Sequence, residues 1–333
     1  MSRVLEQRAP VSAGPTGAHR VLVVGAARSG TTWVAELLGR TTDASYVHEP
    51  DNFDWVPFAG RARARLGLLP NIEVGQDPPP AYARLWDQAF ASRRPSLLNR
   101  VAVRAYASIP GDEKYAALAP DGSRSLRLGL TTRLARPAAA DAEHAHHVVK
   151  SVSVPLALEW LVARFDPDVV MVRRHPLDVL ASRVGFGTMF LQNALSYLDD
   201  RAVATRLERW GSPPRPSDGD RFAHFVWLAG FTISAYDEVA EAHPEFQVVD
   251  HERLCADPVP EFRRLVGAAG LEWSEDCEEY LQSSNTPGSG FETKRVLGAQ
   301  SGTWHTRLSP EQLETARHIL SQFPLAGRYP ELS

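Results

Sequence analysis

Lysine is almost missing from this chain. Of its 36 basic residues only Lys114, Lys150 and Lys294 are lysines; the rest are arginines. Against them stand 40 acidic residues, for a net charge of −4. That balance excludes a global polycation of the kind that coats nucleic acid. Cysteine is scarce as well. Cys255 and Cys277 give neither a metal-ligand spacing nor a disulfide framework. They read as buried thiols in a reducing compartment, which points to the cytoplasm. No apolar run approaches the ~20 residues of a membrane span, so no integral membrane segment is expected. Residues 1–19 have no apolar stretch and read as a disordered arm rather than a secretory signal.

What is present is an alternation of buried strands and helices. Val21-Leu22-Val23-Val24 is a continuous apolar run ended by Gly25, as in a strand covered on both faces. A helix through Thr31–Gly39 and a short strand at Ser45–Glu49 follow, the latter halted by Pro50. Further strands are predicted at His147–Val152, Asp168–Arg173 and Phe246–Asp250. Helices are predicted at Pro155–Phe165, Pro176–Val184, Phe222–Ala242, Pro258–Ala269 and Glu311–Phe323. The expected fold is α/β: a single three-layer domain over 20–333 with a central, mainly parallel sheet. Residues 51–147 read as an inserted helical and loop-rich segment in which aromatics and arginines alternate, a pattern that can carry a binding surface. His144, His146 and His147 sit too close together for a metal set and read as a solvated loop, so no metal is expected. The aromatics around Trp227 recur at helical spacing and read as core.

Two segments carry chemistry. Gly25-Ala26-Ala27-Arg28-Ser29-Gly30-Thr31-Thr32 joins a buried strand to a helix. Unsatisfied N–H groups at a helix start converge on one point and favour an anion there. A nucleotidase P-loop has a lysine after its second glycine; here that position is Thr31, and the cation is Arg28 inside the loop. At the end of another buried strand stands Arg174, with Ser182 two helical turns on. A planar arginine and a hydroxyl suit a phosphate monoester. Two anion sites at neighbouring strand ends point to a ligand with two phosphate groups.

Together these segments resemble the PAPS-dependent sulfotransferases, whose donor is 3′-phosphoadenosine 5′-phosphosulfate. Arg28-Ser29-Gly30-Thr31-Thr32-Trp33 is similar to the family's 5′-phosphosulfate loop, and Arg174 with Ser182 to its 3′-phosphate motif. Val249–Leu254 and Ser301-Gly302-Thr303-Trp304 resemble later family signatures, in the same order. The resemblance implies that Arg28 stabilises the bridging oxygen and that Ser29, Gly30, Thr31 and Thr32 hold the 5′-phosphate. It also implies that Trp33 stacks on adenine, and that Arg174 and Ser182 bind the 3′-phosphate with Lys294 or Arg295 beside them. No metal is required.

Phenol- and steroid-acting members use a histidine in a Lys-Thr-His segment as base. The matching stretch here is Lys150-Ser151-Val152, and Val152 cannot take a proton. Glycan-modifying members carry Glu-Pro at the end of the second strand, which Glu49-Pro50 matches. Side chains alternate along a strand, so only one of His48 and Glu49 faces the reaction. Glu49 is the expected base, with His48 in reserve, Pro50 favouring an extended Glu49 and Lys150 as the mobile cation. The expected reaction moves sulfonate to a hydroxyl or amine of a glycan or small-molecule acceptor shaped by 51–147. Two other readings stay open: a P-loop kinase, and a retired domain of the same fold that only binds.

Overall fold

The apolar runs form neighbouring strands and the periodic stretches between them form covering helices. The computed structural model describes residues 19–91, 97–122, 124–139, 143–184, 194–286 and 301–332. Strand β1 (Arg20–Val24) leads through the glycine loop to helix α1 (Thr31–Leu38) and strand β2 (Ala44–His48). Helices α2 (Pro57–Ala62), α3 (Pro80–Ala89), α4 (Leu97–Ala107), α5 (Gly111–Ala116) and α6 (Leu126–Leu134) follow. Then come β3 (His146–Lys150), α7 (Leu158–Phe165), β4 (Asp168–Arg173) and α8 (Pro176–Val184). The remainder runs through α9 (Asp200–Arg209), α10 (Arg221–Ala242), β5 (Gln247–Asp250), α11 (His251–Ala256), α12 (Pro258–Ala268) and α13 (Glu275–Ser284). It closes with α14 (Trp304–Arg307) and α15 (Pro310–Leu320).

The strands form one parallel sheet in the order β2-β3-β1-β4-β5. Alternate side chains of each strand feed different cores, as a period of two requires. Leu22, Val24 and Val149 pack with Tyr82, Leu85 and Trp86 of α3 and Leu161 of α7. Val21, Val23, Val148 and Val170 pack with Val34, Leu37 and Leu38 of α1 and Phe262 of α12. A third core gathers Leu177, Leu180, Trp227, Phe231, Leu320 and Phe323 beyond the sheet. Among the described residues no helix is long and apolar enough to cross a membrane. Both thiols are free and buried.

Two expectations need correction here. The aromatics of 51–147 were expected to carry a binding surface, yet Phe58, Tyr82, Trp86 and Phe90 are buried core residues; only Trp55 stands exposed. The segment is a packed layer on the sheet, and its cations work within it. Arg63, fully buried, donates to the carbonyls of Asp51 and Leu68. Lys114 is buried too, donates to the Asp54 carbonyl at 2.9 Å and lies 4.4 Å from the centre of the Tyr106 ring. The turns before and after α2 leave main-chain carbonyls without backbone partners, and these cations satisfy them. Finally, β3 starts one residue before the predicted strand, so His146 as well as His147 belongs to it and not to a solvated loop. The Nδ1 of His146 accepts from the His19 N–H, and that of His147 lies 3.2 Å from Ser45 Oγ.

Candidate active site

Strand β1 has β3 on one side and β4 on the other, so its carboxyl end is a point where the chain turns both ways, the usual ligand crevice of an open α/β sheet. The glycine loop begins there. A Cβ on Gly25 would run into the Val172 carbonyl of β4, and one on Gly30 into the His251 ring; both glycines have positive φ, 150° and 93°. Close approach therefore dictates glycine at both positions. Gly30 opens α1, and Ser29 and Thr31 are buried against the loop. Thr32, in the same first turn, is half-buried. Arg28 takes a left-handed conformation, φ 78°, which turns its side chain out of the loop towards α8.

The second expected anion site meets the first. Arg28 Nε donates to Ser182 Oγ at 3.1 Å, and Arg174 donates to the Arg28 carbonyl at 3.1 Å. Burial pushes the Arg174 guanidinium down from its ordinary pKa, opposed by Asp178 and Glu252. A small cleft lined by Gly25, Ser29, Arg173, Arg174, Tyr236 and Asp237 opens at these strand ends. The two later signatures hold this frame. Glu252 accepts the His175 N–H at 2.9 Å, joining the ends of β5 and β4. Asp178 accepts from Gly302 N, Thr303 Oγ1 and Trp304 N at 2.9, 2.7 and 3.2 Å, fastening the C-terminal segment to α8.

On the other side of β1, Glu49 and Lys150 form a salt bridge at the ends of β2 and β3, with side chains 12% and 3% exposed. The ladder sets them together: His48 pairs with Lys150, and the Glu49 N–H donates to the Lys150 carbonyl at 2.9 Å. Asn52 Nδ2 donates to the other Glu49 oxygen. Burial raises the Glu49 pKa, but the Lys150 charge, with hydrogen bonds from Lys150 and Asn52, outweighs it and holds the carboxyl below its ordinary value. Glu49 is not extended as its proline was expected to make it. Its φ is +39°, because residues 49–52 close a turn in which Asn52 N donates to the Glu49 carbonyl at 3.0 Å. A residue before proline rarely sits there, and strain of this kind costs about 1–3 kcal/mol. His48 is exposed and pairs with the Tyr46 hydroxyl.

Trp33 is placed differently from expectation. It is 5% exposed, lies edge-on to Phe262 at 4.7 Å and donates to Ser284 Oγ at 3.2 Å, so little of its ring is left for an adenine. Its place on α1 turns it into the core that this helix buries. Lys294 and Arg295 lie outside the described residues. Among the described residues no group of His, Cys, Asp or Glu is arranged to hold a metal. Two residues escaped the sequence reading. One is Asn52; its signal was the turn spelled by Glu49-Pro50-Asp51-Asn52, with proline at the second position. The other is His251, the wall behind Gly30, quoted within a signature but given no role.

No curated protein matches the sequence. Among solved structures, the fold is similar to retinol dehydratase in complex with androsterone and the inactive cofactor PAP. The identity is 16%, the TM-score 0.38, and the match covers 93% of this chain and 82% of that one. A sulfotransferase from Mycobacterium avium is similar at 15% identity and TM-score 0.39, over 93% of this chain and 78% of that one. The sequence matches the description of the sulfotransferase family across residues 20–275, which takes in the glycine loop, the Glu49–Lys150 pair, Arg174 and Ser182, and the chain belongs to that family.

Proposed function

We propose that this enzyme transfers sulfonate from 3′-phosphoadenosine 5′-phosphosulfate to a hydroxyl, or an amine, of a glycan or small-molecule acceptor. The acceptor oxygen attacks sulfur in line and its proton passes to Glu49. The S–O bond to the 5′-phosphate breaks and leaves its electron pair on the phosphate oxygen, giving adenosine 3′,5′-bisphosphate. Amides and hydroxyls of Ser29–Thr32 hold the 5′-phosphate, and Arg174 with Ser182 holds the 3′-phosphate. Arg28 and Lys150 stabilise the oxygen that departs. Lys294 or Arg295 completes the 3′-phosphate site, and the helical layer between β2 and β3 bounds the acceptor.

The observation that carries this reading is the buried Glu49–Lys150 pair at the strand ends beside a glycine loop with Arg28 in place of a kinase lysine. A base and a mobile cation are the two groups that sulfonate transfer asks of a protein. Glu49→Gln is expected to lower turnover by about 10²-fold or more while adenosine 3′,5′-bisphosphate still binds, as calorimetry would read. Wild-type turnover in that variant removes Glu49 as base. Thermal stabilisation by adenosine 3′,5′-bisphosphate without magnesium, exceeding that by ATP with magnesium, separates this reading from a kinase.

A further inference from the structure

The Glu49 carboxylate has both oxygens engaged, and by groups of opposite freedom. Lys150 Nζ holds Oε1 and Asn52 Nδ2 holds Oε2. Asn52 is itself fixed. Its N–H donates to the Glu49 carbonyl at 3.0 Å, its carbonyl accepts Val56 N–H at 2.8 Å, and its Oδ1 accepts Asp54 N–H at 3.0 Å. That last bond settles which end of the amide faces Glu49, because Oδ1 is already spoken for and Nδ2 is left to donate. The turn is tied from below as well. Ser151, next to Lys150, donates to Asp51 Oδ2 at 2.8 Å, and Arg63 donates to the Asp51 carbonyl at 2.8 Å. Lys150, by contrast, is an ammonium on a four-carbon stem, able to swing without any change of backbone.

Each carboxylate oxygen keeps a second lone pair, but with Lys150 and Asn52 both donating to it Glu49 is a poor proton acceptor. Removing one donor restores its basicity, and of the two only Lys150 sits on a stem that can move. The donor brings what draws it away: a sulfonate and a bridging oxygen on which negative charge grows. We propose that Asn52 is the positioning residue that keeps Glu49 in place, and that Lys150 passes from Glu49 Oε1 to the bound donor, so that the base is released only after the donor has bound. This rests on the reading of Glu49 as base. Its chemistry adds no reactant to the transfer described above: the acceptor proton goes to the vacated Oε1, and Lys150 meets the oxygen that takes the electron pair. The titratable groups acting on Glu49 are Lys150 from β3, His48 and Tyr46 from β2, and Asp51 from its own turn.

The test is a carbon-13 titration of glutamate carboxyls, with the Glu49 signal assigned by its loss in Glu49→Gln. In the free protein the Glu49 midpoint is expected below that of an ordinary glutamate. Saturating 3′-phosphoadenosine 5′-phosphosulfate, with no acceptor present, should raise it by about one unit as Lys150 leaves. Asn52→Asp keeps an acceptor oxygen for the Asp54 N–H but replaces the donor to Glu49 with a like charge. It should raise the midpoint without donor by about one unit and leave affinity for adenosine 3′,5′-bisphosphate within about twofold. Asn52→Ser supplies the same readout if Asn52→Asp does not fold. A merely structural Asn52 would leave the midpoint where it is. A midpoint unmoved by donor overturns the exchange, and one unmoved in the Asn52 variants overturns the positioning role. Both results are independent of turnover, so a failed base, read from Glu49→Gln kinetics, is told apart from a failed clamp.

Discussion

Lys150 is the residue on which this sequence concentrates most meaning. In a chain that uses arginine almost everywhere, a lysine at the end of an interior strand does what arginine does poorly: it moves as a point charge on a flexible stem. Its burial at 3% exposure leaves it few partners but Glu49 and whatever enters the crevice. We expect Lys150→Ala to lower turnover by about 10²-fold or more while changing the affinity for adenosine 3′,5′-bisphosphate by less than about threefold. Product binding and single-turnover rates measured on the same preparation check this, and equal losses in both would contradict it. Trp33 shows a limit of reading single residues: a motif says nothing of which side of a helix is buried, and Trp33 packs edge-on against Phe262.

At the scale of elements, the strands were legible because a strand covered on both faces must be a continuous apolar run. The helices that cover them were legible by their spacing and their glycine or proline stops. The glycine loop and the Arg174 segment were legible because they follow such strands. The layer from α2 to α6 was not. Its short, proline-broken helices carry arginines inside, and buried Arg63 and Lys114 look in sequence like surface charges until main-chain carbonyls receive them. The Glu49–Asn52 turn was half legible: Glu49 announced itself by Pro50, whereas Asn52 acts through a bond that only the folded turn creates. Helix α8 shows how one element serves two ends of the chain. Its Ser182 meets Arg28, and its Asp178 gathers three donors of the segment before α14. Asp178→Ala strands those donors in a buried place and should cost about 3 kcal/mol. Denaturant midpoints at unchanged slope would measure it, and a loss below about 0.5 kcal/mol would show that the segment is held by other means.

For the whole molecule, stability and chemistry meet at the loop. His251 is buried against Gly30, and burial, helped by Arg174, pushes its pKa down to about 3. Unfolded, it titrates near 6.5. Between those values the unfolded chain binds a proton that the folded chain refuses, so His251 makes stability fall as pH drops below about 6.5 and stop falling near 3. Melting temperatures from pH 4 to 8 should therefore decline more gently in His251→Gln than in the wild type; parallel curves would remove His251 as the cause. The turn at Glu49 has a consequence of another kind. A left-handed, charged residue before a proline, beside a desolvated lysine, is a poor choice for a protein asked only to endure heat. Asparagine at 49 would ease the backbone, and an apolar residue at 150 would spare the ion its dehydration. A population bred for thermal endurance alone would thus drift towards losing both residues and, on the proposed reading of Glu49 and Lys150, its turnover with them. Screens that rank variants of this protein by heat resistance need a catalytic count beside them at these two positions above all.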